Sequence, residues 1–226
     1  MRHTKTETTD SVILSPSTPA KAAVIWLHGL GADGHDFVPI VPELSLPESL
    51  AVRFVFPHAR LRPVTINNGY VMRAWYDIKA LALSGAEDEI GIREAENVVR
   101  ALVQRELDLG IAANKIVIAG FSQGGAIALQ TALRYPQRLA GVMALSTYLP
   151  LRGTLSTEAS KANRDVPILM CHGRQDAVVP MQLGTVSRDA MTKLGFAVEW
   201  KEYVMEHSLC VDEIADIGRW LSARLN

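Results

Sequence analysis

The hexapeptide Gly120-Phe121-Ser122-Gln123-Gly124-Gly125 has the residue types of an activated hydroxyl nucleophile. It matches G-x-S-x-G, in which a serine is raised on a sharp turn between a strand and a helix. Alone the pattern is weak, because chance supplies it often. Here a β-rich apolar run, residues 115–119, precedes it and a helical run follows it. A neighbouring Cβ would collide with such a turn or with the helix behind it. Gly120, Gly124, Gly125 and Ala126 supply the clearance. The chemistry implied is acyl transfer through a serine ester.

A serine hydroxyl is a poor nucleophile at neutral pH and needs an adjacent base. The chain offers six histidines. His3 lies in a polar leader and is expected in solvent. His35 and His58 sit in loops and suit hydrogen-bonded structural roles. His28 and His172 each precede a glycine at a strand end, where they suit loop bracing. His207 follows the strand expected at 198–203 and precedes the last helix, which is where the base belongs. Asp176, just after the strand expected at 167–171, is the matching acid. Asp165 lies before that strand, while Asp189 and Glu199 belong to a helix and a strand. An aspartate so placed would accept the Nδ1–H of His207 and fix its tautomer. The oxyanion needs N–H donors as well. Gln123, after the nucleophile, is one, and Leu30 in His28-Gly29-Leu30-Gly31-Ala32 is the other.

The elements that must position these groups are legible in the apolar pattern. Short apolar runs at 23–27, 52–56, 115–119, 141–145, 167–171 and 198–203 read as strands, the last nearer an edge. Helical spacing marks 92–109, 125–134, 181–194 and 211–225, the first through Ala95, Val98, Val99, Leu102 and Val103. This alternation predicts an α/β fold in one domain, 1–226: a mostly parallel, twisted sheet with helices on both faces, as in α/β-hydrolases. Residues 60–88 show no strong period and read as one long functional loop, and 15–21 as a turn.

Composition narrows the function. A net charge of −1 gives no long-range attraction for nucleic acid. No apolar stretch approaches the roughly 20 residues of a membrane span, so no stable membrane insertion is expected. The leader lacks the apolar core of a secretory signal, and two cysteines are too few for a disulfide framework. A cytoplasmic location with Cys171 and Cys210 as buried thiols follows. No motif for a metal or an organic cofactor is present, so none is expected.

These residues resemble the phospholipase/carboxylesterase family, and within it the bacterial carboxylesterases related to acyl-protein thioesterases. The likeness includes WLHGLGADG at 26–34, FPHA at 56–59, RPVTINNGYVMRAWYDI at 62–78, GFSQGG at 120–125, HGRQDAVVP at 172–180 and YVMEH at 203–207. The resemblance implies the triad Ser122, Asp176 and His207 and the donors Leu30 and Gln123. It implies an acyl site lined by the loop after Trp75-Tyr76-Asp77, with Trp75 beside it. From loop position, Trp75, Leu81, Leu83 and Val179 are the expected pocket residues. It also brings the expectation of a homodimer. Two positions depart from the family pattern: Glu206 replaces a usual glycine before the histidine, and Arg174 stands where polar or acidic residues are common. The expected function is a serine carboxylesterase for short- to medium-chain esters. The alternative is an acyl-protein thioesterase or lysophospholipase with the same triad, and the remote one a binding protein without turnover.

Overall fold

The structure, a computed structural model, describes residues 3–79 and 87–226. The first residues are not a free leader. They form β1 (His3–Glu7), which pairs antiparallel with β2 (Ser11–Pro16). Alternation in residues 3–7 is masked by charge, so only the pairing reveals the strand. His3 is tied down too, its Nε2 hydrogen-bonded to Val52 O at 3.0 Å. The chain continues through β3 (Ala22–Leu27), β4 (Val52–Pro57), β5 (Leu61–Val64), β6 (Tyr70–Arg73) and α1 (Glu89–Asp108). Next come β7 (Ile116–Phe121), α2 (Gln123–Arg134), β8 (Gly141–Leu145), the short α3 (Leu155–Glu158) and β9 (Ile168–Gly173). Last are α4 (Met181–Lys193), β10 (Val198–Tyr203) and α5 (Val211–Leu225).

Eight strands form one sheet in the order β1-β2-β4-β3-β7-β8-β9-β10. Pairing is parallel from β4 to β10 and antiparallel at β1 and β2. The expected architecture is therefore present, with two strands added at one side of the sheet. Alternate residues of each central strand face opposite layers, as the pleat requires. Ala23, Ile25 and Leu27 of β3 join Ile92, Val99 and Val103 of α1 and Ile127 of α2 on one face. Val24 and Trp26 join Ile217, Trp220 and Leu221 of α5 on the other. In α1 the Asp88 side chain caps Gly91 N at 3.2 Å, and the buried stripe runs through Ile92, Ala95, Val99, Leu102 and Val103. Val98 lies outside it and is partly exposed.

Residues 60–88 are not one loop. β5 and β6 form an antiparallel hairpin of their own, turning through Asn68 and Gly69, both in the left-handed region. β3 has β4 on one side and β7 on the other, although the chain passes from β3 to β4 and only later to β7. A crevice opens at the carboxyl ends of strands at such a switch point. It brings the turn after β3 beside the turn after β7, with Leu27 paired to Gly120.

Candidate active site

Ser122 occupies the N-cap of α2 with φ 53° and ψ −122°, the strained backbone of a strand-to-helix elbow. Such a conformation costs on the order of 1–3 kcal/mol and persists only where its surroundings over-determine it. They do so here. Ser122 N donates to Leu145 O at 2.8 Å, and Ser122 O accepts from Thr147 Oγ1 at 2.6 Å and Ala126 N at 3.2 Å. The glycine requirement is geometric: a Cβ on Gly124 would stand 2.4 Å from Leu27 O, so only glycine lets α2 start this close to β3.

Ser122 opens into a cavity of about 480 Å³, which His207, Gly29, Leu30 and Gln123 also line. His207 follows β10 and Asp176 follows β9. Asp176 Oδ2 accepts from His207 Nδ1 at 2.7 Å, while Oδ1 accepts from Val178 N at 2.9 Å and Val179 N at 2.8 Å. The Asp176 side chain is completely shielded from solvent. The Phe121 ring lies 4.7 Å from the His207 ring and supports its face. The backbone amides of Leu30 and Gln123 have no acceptor among the described residues. Gln123 begins a helix, where the first N–H groups have no intrahelical partner.

The Gln123 side chain is a brace that composition alone could not reveal. Its Oε1 accepts from Trp75 N and its Nε2 donates to Tyr76 O, both at 2.8 Å. Trp75, expected in the acyl pocket, is not among the residues that line this cavity. It stands behind the turn after β3, with its indole N–H donating to His28 O at 2.9 Å, because the buried indole needs an acceptor and the backbone there supplies one. Val179 does line the cavity. Leu81 and Leu83 lie outside the described residues. Ile66, Ile78, Phe121 and Val178 contribute apolar wall, and Tyr76 and Tyr148, joined OH to OH at 2.7 Å, add a polar point.

The other histidines have structural partners. His28 Nδ1 donates to Gly29 O at 2.7 Å and its Nε2 accepts from Ala59 N at 3.0 Å. Burial pushes its pKa down to about 4, so it stays neutral. His172 Nε2 donates to Val179 O at 2.8 Å, and the ring is fully buried, which removes it as a rival base. Asp33, His35 and His58 bring ligand-type atoms within 4.8 Å of one another. Three of their four ring nitrogens are already used, however. His35 bonds Asp33 and Glu7 through its two ring nitrogens, and His58 Nδ1 accepts from Gly34 N. The group therefore reads as a brace of the loop after β3. Arg174 pairs with Glu202 at 3.1 Å, and neither it nor the exposed Glu206 lines the cavity. Cys171 is buried as expected, whereas Cys210 is only partly so, and both are free thiols.

No helix among the described residues is long and apolar enough to cross a membrane. The profile of the phospholipase/carboxylesterase family matches residues 8–225. An acyl-protein thioesterase 1 of Neurospora crassa is 41% identical over 213 residues, covering 90% of this chain and 87% of that protein. One from Yarrowia lipolytica is 39% identical, covering 92% and 95%. The crystal structure of Arabidopsis thaliana SOBER1 superposes with a TM-score of 0.87 at 32% identity, covering 92% and 100%. The two relatives compared by sequence are fungal, so they lend no support to a specifically bacterial branch. The chain belongs to the phospholipase/carboxylesterase family, serine hydrolases of the α/β-hydrolase fold that act on ester and thioester bonds.

Proposed function

We propose that this protein is a serine thioesterase that removes acyl groups from acylated proteins, with Ser122, Asp176 and His207 as its triad. The observation that carries the reading is the shared cavity: Ser122, His207, Leu30 and Gln123 line one cavity whose wall is mainly apolar. Ser122 Oγ attacks the thioester carbonyl while His207 takes its proton. Asp176 orients the ring and stabilises the imidazolium. The two amides receive the oxyanion. His207 then protonates the departing thiol, and water hydrolyses the acyl-enzyme by the same route to release the carboxylic acid. Relatives near 40% identity that bear the name acyl-protein thioesterase favour this substrate class over the short- to medium-chain esters expected from the sequence. Free Cys171 and Cys210 suit a reducing compartment, in keeping with the cytoplasm.

The test compares S-acetyl and S-palmitoyl peptides with p-nitrophenyl esters of the same two chain lengths. A higher kcat/KM on the long-chain thioester supports the proposal, and preference for the acetyl ester returns the carboxylesterase reading. Turnover that survives in Ser122→Ala overturns the nucleophile.

A further inference from the structure

A second cleft, of about 640 Å³, lies behind the turn after β3, between the base of the β5–β6 hairpin and α1. The hairpin separates it from the catalytic cavity. Ile66 and Asn67, at the hairpin turn, line the catalytic cavity, whereas Arg62 and Arg73, nearer its base, line the cleft. We propose that this cleft binds a phosphate-type oxyanion, either free phosphate or a small phosphomonoester.

The charge of the lining is lopsided. Within the lining, Arg60, Arg62, Arg73 and Arg105 meet Asp10 and Glu94, while Asp77, outside it, also acts on Arg62 through charge. Arg105 Nη1 and Asp10 Oδ2 satisfy each other at 2.9 Å. The remaining guanidiniums have donors to spare. Arg62 Nη2 stays 3.9 Å from Glu94 Oε2, too far for a hydrogen bond, and Arg62 Nε is buried without a partner. Arg73 uses Nη1 alone, on Ala59 O at 2.8 Å. Arg60 has no side-chain partner among the described residues. Burial and the Arg73 charge lower the pKa of His58, which also lines the cleft.

Planar guanidinium forks match the oxygens of a phosphate two at a time, which a monovalent halide cannot exploit. Ala74, Trp75, Ala95 and Leu102 form an apolar floor that strengthens charge pairing above it and leaves room for a short organic arm. The cleft is also joined to the catalytic loop by backbone. Gly31 N, in the loop that carries Leu30, donates to Arg73 O at 2.9 Å, and Trp75 holds both His28 O and Gln123. An anion that pins Arg73 therefore bears on the loop that supplies the Leu30 amide.

Calorimetric titration of the full chain with inorganic phosphate and with glycerol 3-phosphate, against chloride at matched ionic strength, tests the site. Saturable phosphate binding is expected, weakened roughly ten- to a hundredfold by Arg60→Glu or Arg62→Gln, the loss expected for a charged hydrogen bond. Melting curves confirm that each variant is folded. Absent saturable binding of either anion, or binding that both variants leave intact, overturns the proposal. Tighter binding of glycerol 3-phosphate assigns the site to a phosphomonoester, and equal affinities assign it to free phosphate. Saturating phosphate is further expected to change kcat on a soluble p-nitrophenyl ester in the wild type. Unchanged kcat under bound phosphate overturns the link to the loop, independently of the catalytic reading.

Discussion

Asp176 and His207 approach to 2.7 Å because they follow β9 and β10, neighbouring parallel strands whose ends are paired Gly173 to Tyr203. Two further bonds lash the loops together beyond that pair: Arg174 N to Tyr203 O at 2.8 Å and Gln175 N to Met205 O at 3.1 Å. The contact is a product of sheet register, and the loops continue it.

Asp176→Asn separates orientation from folding. The Asn oxygen can still accept from Val178 N and Val179 N, but its amide would face His207 Nδ1 and favour the wrong tautomer. Loss of kcat by about four orders of magnitude is expected, as for an equivalent change in other triads. A melting temperature within roughly 4 °C of wild type is expected for a cost near 1 kcal/mol. Substantial surviving activity would remove Asp176 from the mechanism.

Gln123→Ala leaves Trp75 N and Tyr76 O without their partners inside the protein. Each buried orphan costs about 1–3 kcal/mol, so thermal stability falls. Because Trp75 also holds His28 O, kcat is expected to drop with little change in KM. A variant as stable and as fast as wild type would show that this brace is dispensable.

Gly124→Ala forces a Cβ toward Leu27 O, while Gly153 has open space around it. Overpacking of this kind costs on the order of 3 kcal/mol, or roughly 6–12 °C in a chain this long. Gly153→Ala serves as the control, with no more than a small shift expected. Equal melting temperatures for the two variants would contradict the elbow geometry.

Glu213, in the first turn of α5, is fully buried, with only weak contacts to the Cys210 backbone and the Cys171 thiol to offset the loss of water. Burial, reinforced by Asp216, pushes its pKa up from 4.5 to about 8. The native chain thus keeps a proton that the unfolded chain releases. The contribution of this group to stability is full below about pH 4.5 and declines as pH rises toward 8, by an amount on the order of 5 kcal/mol. Denaturant unfolding at pH 5 and pH 8 should show Glu213→Gln gaining on wild type at the higher pH. An unchanged difference between the two proteins would mean that Glu213 is not held neutral.

Much of this was legible without coordinates. Strands 23–27, 115–119 and 141–145 are covered by helices on both faces, so nearly every residue is apolar and local composition reveals them. The glycines around Ser122 were equally readable, because close backbone approach leaves no alternative residue. The edge strand β1 was not, since pairing on one side alone lets its side chains be polar. The β5–β6 hairpin is hidden for a different reason: its apolar Leu61, Tyr70 and Val71 are exposed, so they trace no buried face.

What the sequence determined by itself was the chemistry available and the order of the elements that carry it: a serine between small residues, an acid and a histidine after later strands. What only the tertiary structure decided was which groups meet. It set Trp75 behind the loop after β3 and not in the cavity, turned Gln123 into a brace, and gathered Arg60, Arg62 and Arg73 around a second cleft. The physical reason is that spacing along the chain encodes local backbone geometry. Contacts between segments far apart in sequence depend on strand register and crossover, which no single segment contains.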